Sequence, residues 1–289
     1  MSMLGERAVL MRLSMGLPGE SRRDDELSGT VKREHALGDK AGKWLKTLFP
    51  PEALEPIKKL DNEARDYHAK VTLPFDVGIG ILPGGLIKEH GDRMREFQSR
   101  REALVESHFL AKYESWVEWA RLNQNGTFDA SLYPGPDDAR KKFYFRTEPL
   151  PIPDAEHFSG TMASLLGQDV ESVNLRVKDA AHEAQKELLR RIIEPVQRMA
   201  EKLAEPPKEG KDSPVFRDSL VGNVREIAAL APKLNLSGDA EIDGCCASIA
   251  LALGKADPDS LRKDKGLRAS VAGDAACMVK RLSTYAGLI

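Results

Sequence analysis

LIKEHGDRMREFQSRREALVESHFLAKYESWVEWARL, Leu86–Leu122, is the stretch on which the reading of this chain turns. It holds no proline, and Ile87, Met94, Phe97, Leu104, Phe109, Trp116 and Trp119 recur among Arg, Lys and Glu. That pattern predicts one helix, which at ~1.5 Å per residue would be on the order of 55 Å long. A second long helix is predicted over 161–204, carrying Leu165, Val173, Val177, Ala181, Ala184, Leu188, Ile192, Val196, Met199 and Leu203, with a kink at Pro195. The two are expected to pair antiparallel. Both carry more apolar positions than one mutual seam requires, so a homo-oligomer is expected as well.

Outward from this pair, residues 8–17 alternate and stop at Pro18-Gly19, the pattern of a strand and turn. Residues 19–36 read as a polar connector, and 40–46 as a basic, partly helical segment. Pro50-Pro51 can open a helix whose apolar face is Leu54, Ile57, Leu60, Ala64 and Tyr67, because proline's missing N–H would be unpaired in a first turn anyway. Residues 72–85 hold prolines and glycines that forbid a continuous helix, and read as a buried irregular linker. A loop over 123–136 leads to a short helix from Pro136. Phe143-Tyr144-Phe145-Arg146-Thr147 reads as a strand running toward Pro149, Pro151 and Pro153, which confine it to a sheet edge.

Pro206-Pro207-Lys208-Glu209-Gly210-Lys211-Asp212 is the clearest linker, after which Ser213-Pro214 supplies a cap and first turn for a helix with Phe216, Leu220, Val224, Ile227 and Leu230. Further helices are predicted near 239–253, 258–264 and 267–285. The fold class is therefore mainly α with a small antiparallel β element (α+β), divided into 1–205, with the sheet and two long antiparallel helices, and a C-terminal helical subdomain, 213–289.

The chain has 289 residues, 41% hydrophobic and 30% charged, a balance that supports a packed core. A net charge of −2 gives no whole-molecule attraction to nucleic acid or anionic lipid, so any such binding needs a local patch. Cys245, Cys246 and Cys277 form no even disulfide framework, which fits a reducing cytoplasm. No secretory signal and no apolar run long enough for a membrane helix is expected.

Catalytic motifs are missing. Gly78-Ile79-Gly80-Ile81-Leu82-Pro83-Gly84-Gly85 puts proline where a dinucleotide loop needs glycine, and it lacks the Gly-Lys-Ser/Thr of a phosphate loop. His35, His68, His90, His108, His157 and His182 show no metal-ligand spacing. Asp24-Asp25 and Asp137-Asp138 sit in polar surroundings typical of solvated turns. No cofactor and no metal is expected. The informative local chemistry is cationic and aromatic: Lys40, Lys43, Trp44 and Lys46, then Arg140, Lys141, Lys142, Tyr144 and Arg146. Such groups neutralise phosphates and stack on unpaired bases. The competing reading makes Trp44, Phe143 and Phe145 core anchors with lysines that merely keep their ammonium groups wet.

The order of certain segments resembles a family of uncharacterised proteins encoded by tailed bacteriophages and prophages. The segments are Thr72-Leu73-Pro74-Phe75 with Leu82-Pro83, Phe109-Leu110-Ala111-Lys112-Tyr113, Tyr133-Pro134-Gly135-Pro136, Lys142-Phe143-Tyr144-Phe145 with Pro151-Ile152-Pro153-Asp154, and Phe216-Arg217-Asp218-Ser219-Leu220-Val221. The resemblance spans residues 8 to about 285 and brings no catalytic residues. It implies a setting among phage DNA-metabolism genes, sometimes near a MoxR- or CobS-like ATPase, in a bacterial cytoplasm. The expectation is a non-enzymatic accessory protein binding single-stranded nucleic acid in replication or recombination. The alternatives are a helical adaptor or oligomeric scaffold for a protein partner such as that ATPase, and an enzyme whose site is assembled from distant residues.

Overall fold

The computed structural model describes residues 3–154, 168–205, 216–254 and 257–287. It is mainly helical with two small antiparallel sheets, and the chain folds into two compact units. Unit 1 gathers Met1–Arg12, Ala69–Lys88 and Glu148–Ile289; unit 2 gathers Leu13–His68 and Glu89–Thr147. The residues on either side of the 206–212 linker both fall in unit 1, so these units do not follow the division at that linker. Among the described residues no helix is long and apolar enough to cross a membrane.

In chain order the elements are α1 (Met3–Arg7), β1 (Ala8–Gly16), β2 (Ser21–Asp24), α2 (Asp25–Glu34), β3 (Trp44–Thr47), α3 (Pro51–Val71), β4 (Leu73–Asp76), β5 (Ile79–Pro83), α4 (Ile87–Leu104), α5 (Tyr113–Gln124), α6 (Pro136–Arg140) and β6 (Tyr144–Leu150). They continue with α7 (Gln168–Ala204), α8 (Asp218–Leu234), α9 (Ala240–Gly254), α10 (Pro258–Lys263) and α11 (Lys265–Ala286). Strands predicted at 8–17 and 143–147 are β1 and β6. Prolines at 51, 136 and 258 open α3, α6 and α10 as expected. The Ser213-Pro214 cap and residues 161–167 lie outside the described residues; α8 itself begins at Asp218 behind Arg217.

In unit 1, β5 pairs antiparallel with β1, from Ala8 opposite Pro83 to Arg12 opposite Ile79, and β4 pairs antiparallel with β5. The main sheet runs β4-β5-β1-β6, so 72–85 is a hairpin and not the irregular linker expected. Three of the breakers have a clear place in it. Pro74 stands on the edge strand, where a missing N–H costs no ladder bond. Gly78, with φ +71°, supplies the left-handed turn. At Gly80 a Cβ would lie 2.6 Å from Thr72 Cβ, so only hydrogen fits. β6 occupies the opposite edge, which accommodates Pro149.

Helix α7 buries Val177, Ala184, Leu188, Leu189, Ile192, Val196, Met199 and Leu203, and packs against α11, α8 and β4. The first long stretch lies almost wholly in unit 2, where its side chains share core clusters with α3.

That first stretch is also not one regular helix. Between Phe97 and Tyr113 its buried positions, Phe97, Arg101, Val105, Phe109 and Tyr113, fall every four residues. An α-helix turns about 100° per residue, so an i+4 face drifts by about 40° per step. A π turn at Val105–Phe109, underwound relative to an α-helix, takes up part of that drift before a 3-10 turn at Leu110–Lys112. Phe109 then lands fully buried, edge-on to Phe49 at 5.2 Å and to Phe143 at 4.9 Å.

Candidate nucleic-acid interface

Both cationic aromatic segments lie in unit 2. The first is built on a β2–α2–β3 module, where the sequence suggested a polar connector and a partly helical run. Asp24 organises it: its carboxylate accepts from Leu27 N at 2.8 Å, capping α2, and ion-pairs with Lys46 Nζ at 2.8 Å. The Lys46 contact, then the cap, holds the Asp24 carboxyl below the usual range. Ser28 Oγ donates to Asp24 O at 2.5 Å and accepts from Trp44 N at 2.8 Å, so the backbone of β3 is tied to α2. Ser21–Asp24 pairs antiparallel with Trp44–Thr47, Asp24 facing Trp44 and Arg22 facing Lys46.

The indole of Trp44 is left 50% exposed. Leu45, which points to the other face of the ladder, is 58% exposed, and Leu37 is 46% exposed. Lys40 and Lys43 are exposed and make no hydrogen bond or ion pair among the described residues. Lys46 differs: its side chain is 14% exposed and its charge is already matched by Asp24.

In the second segment, Arg140 spans Glu106 with Nε–Oε1 at 2.8 Å and Nη2–Oε2 at 2.9 Å, and reaches Asp137 at 3.2 Å. Glu106 is the main reason its guanidinium is even harder to deprotonate than usual. Lys141 pairs with Asp138 at 2.6 Å, which raises the lysine and lowers the carboxyl. The Lys142 side chain is exposed and makes no hydrogen bond or ion pair among the described residues, although its charge adds to the lowering of Asp138. Arg146 stacks over Tyr144 at 5.3 Å, and that ring lies so close over Gly16 that a Cβ there would be 2.1 Å from it. Among the described residues no hydrogen bond, ion pair or ring contact joins the two segments.

The alternative reading of the aromatics divides accordingly. Phe143 and Phe145 do pack against the two unit 2 core clusters, whereas Trp44 faces solvent.

One constellation escaped the sequence reading. Among the histidines that looked scattered, His68 Nδ1 and His90 Nε2 meet at 3.0 Å where α3 crosses α4, beside the Tyr67 ring, which stacks on His90. Burial, then His90, pulls His68 down to about 4, and burial lowers His90 too, so both rings are neutral and one donates to the other. Further along the same helix pair, Arg101 grips Asp61 through Nε–Oδ1 at 2.6 Å and Nη2–Oδ2 at 3.2 Å, and also donates to Gly16 O at 2.6 Å. Both side chains are buried. The available signal was Asp61 sitting on the apolar face of Ile57, Leu60 and Ala64, where a lone carboxylate demands a partner.

These polar rungs are packing devices with their valences filled. Among the described residues no group of three or more His, Cys, Asp or Glu side chains is placed to hold a metal ion. Cys246 is buried and pushed up to about 12, and Cys245 is raised as well, so neither thiol is an activated nucleophile. No protein-family model, curated protein or solved structure matches this chain.

Proposed function

We propose that the protein is a non-enzymatic binding factor whose Trp44 face, flanked by Lys40 and Lys43, receives single-stranded nucleic acid. The observation that carries this reading is a half-exposed indole, on a backbone clamped to α2, flanked in sequence by two unpaired lysines. Burying that indole against a base recovers its apolar area, and stacking is worth about 1–3 kcal/mol per base whatever the sequence. Arg140, Lys141 and Lys46 contribute less, because a phosphate must displace a carboxylate from each. The resemblance of its segment order to tailed-phage proteins supports a setting in phage replication or recombination for such an activity.

The test is fluorescence anisotropy of a labelled oligothymidylate titrated with the full chain at low salt. Trp44→Ala and Lys40→Gln/Lys43→Gln are expected to weaken binding, and Lys141→Gln to leave it nearly unchanged. Absence of binding at low salt refutes the proposal.

A second reading, an adaptor for a protein partner such as a phage ATPase, draws on the exposure of Leu37 and of Leu45 on the ladder face opposite Trp44. It predicts that Leu45→Ser abolishes capture of the partner and leaves oligonucleotide binding intact.

A further inference from the structure

Unit 1 contains a cavity of about 320 Å3 between α7, the chain leaving α8, and α1. Leu4, Leu73, Leu188, Leu234 and Leu236 make its walls apolar. That volume lies at the lower end of small-molecule sites, which run about 300–1,000 Å3 and combine apolar walls with a few polar groups.

The polar groups are distributed unequally. On the α8 side, Asn235 is saturated: Oδ1 accepts from Ser237 Oγ at 2.9 Å and Asp239 N at 3.1 Å, and Nδ2 donates to Asp239 O and Asp243 Oδ1, both at 2.9 Å. Leu236 O accepts from Arg7 Nη1 at 3.2 Å, which ties the start of the chain to this wall. On the α7 side, Lys178, His182 and Gln185 line the same cavity from one helix face, at i, i+4 and i+7. None of the three makes a hydrogen bond or ion pair among the described residues. One wall therefore offers an unmatched ammonium, an imidazole and a carboxamide, while the rest is leucine and alanine apart from Asn235 and Ser237, which bond each other.

We infer that this cavity binds a small amphipathic carboxylate, its head group against Lys178 and Gln185 and its hydrocarbon body against the leucines. A cation would meet the lysine, and a fully polar anion would strand the leucine walls, so both are disfavoured. This site is independent of the Trp44 face and lies in the other unit.

The experiment is isothermal titration of the full chain with octanoate, using 1-octanol as the uncharged comparator. Octanoate is expected to bind at one site and more tightly than the alcohol. Lys178→Met, a change at an exposed residue, is expected to weaken octanoate about tenfold, as loss of one charge-assisted contact does, and to leave 1-octanol unchanged. Ala181→Leu, which pushes a larger side chain into the apolar part of the cavity, is expected to weaken both while the circular dichroism spectrum is retained. No saturable octanoate binding, equal affinity for acid and alcohol, or octanoate binding indifferent to Lys178→Met would each overturn the inference. Failure of Ala181→Leu to fold leaves the Lys178 comparison to decide.

Discussion

Removing the carboxylate of Asp61 tests the account of unit 2 most directly. Asp61 and Arg101 are both buried, joined by two bonds of 2.6 and 3.2 Å, with the guanidinium also held by Gly16 O and lying 5.8 Å from the centre of the Phe143 ring. Asp61→Ala leaves a guanidinium in an apolar interior with one carbonyl for company. An orphaned buried charge of this kind costs about 3–5 kcal/mol. Arg101→Met orphans the carboxylate and is expected to cost a similar amount. The double variant Asp61→Leu/Arg101→Met removes both charges and leaves only Gly16 O short of a donor, a loss of about 1–3 kcal/mol. The double variant is therefore expected to be no worse than either single change, a coupling of several kcal/mol. Trp44, Trp116 and Trp119, the only tryptophans, all lie in unit 2, so urea unfolding followed by tryptophan emission reports this unit. With a urea dependence of about 2 kcal/mol per molar, each single variant is expected to lower the midpoint by roughly 2 M. Additive losses in the double variant, or a single-variant loss under about 1 kcal/mol, refute the reasoning.

The same emission read against pH tests the His68–His90 contact. Burial keeps native His68 neutral down to about pH 4, while the unfolded chain takes a proton near 6.5, so stability is highest above 6.5 and falls as pH drops from 6.5 toward 4. The full effect is at most about 3 kcal/mol, and less because water reaches part of the ring; His68→Asn is expected to flatten that slope, and an unchanged slope refutes the assignment. Iodoacetamide on the folded chain at neutral pH is expected to label Cys277, which is exposed, while Cys245 and Cys246, buried and raised, stay unlabelled until denaturation. Intact-mass analysis before and after urea reads this directly, and labelling of Cys246 in the native chain contradicts its placement.

Elements that obey one local rule were legible in the sequence. Helices opened by Pro51, Pro136 and Pro258, and the apolar face of α7, follow from first-turn stereochemistry and helical period alone. The hairpin at 72–85 was not, because its prolines and glycines read as helix breakers until it is known that Pro74 lies on an edge strand and that Gly80 meets Thr72. The π turn shows a different kind of loss. Its signal, Phe97, Val105, Phe109 and Tyr113 on a four-residue spacing, is interrupted at Arg101, whose burial shows only once Asp61 is seen to hold it. The β2–α2–β3 module depends on one side chain, Asp24, serving as both helix cap and counter-ion to Lys46, and no single-residue propensity encodes a double role.

The candidate site illustrates the same limit in electrostatic form. Composition does not rank the cations of the two segments, yet Arg140, Lys141 and Lys46 already have carboxylates at ion-pair distance, while Lys40, Lys43 and Lys142 do not. The distinction has a thermodynamic consequence. For a single strand the salt exponent of affinity is about −0.7 per phosphate neutralised. Lys40 and Lys43 acting alone give a slope near −1.4, so raising salt from 50 to 200 mM weakens binding about sevenfold. Six engaged cations would give a slope near −4 and a loss of a few hundredfold. A two-lysine patch leaves most of the affinity to the stacking of Trp44, and then Trp44→Ala must cost more than neutralising both lysines at moderate salt. A slope near −4 in place of −1.4 would mean that the ion pairs at Arg140 and Lys141 open to take phosphate.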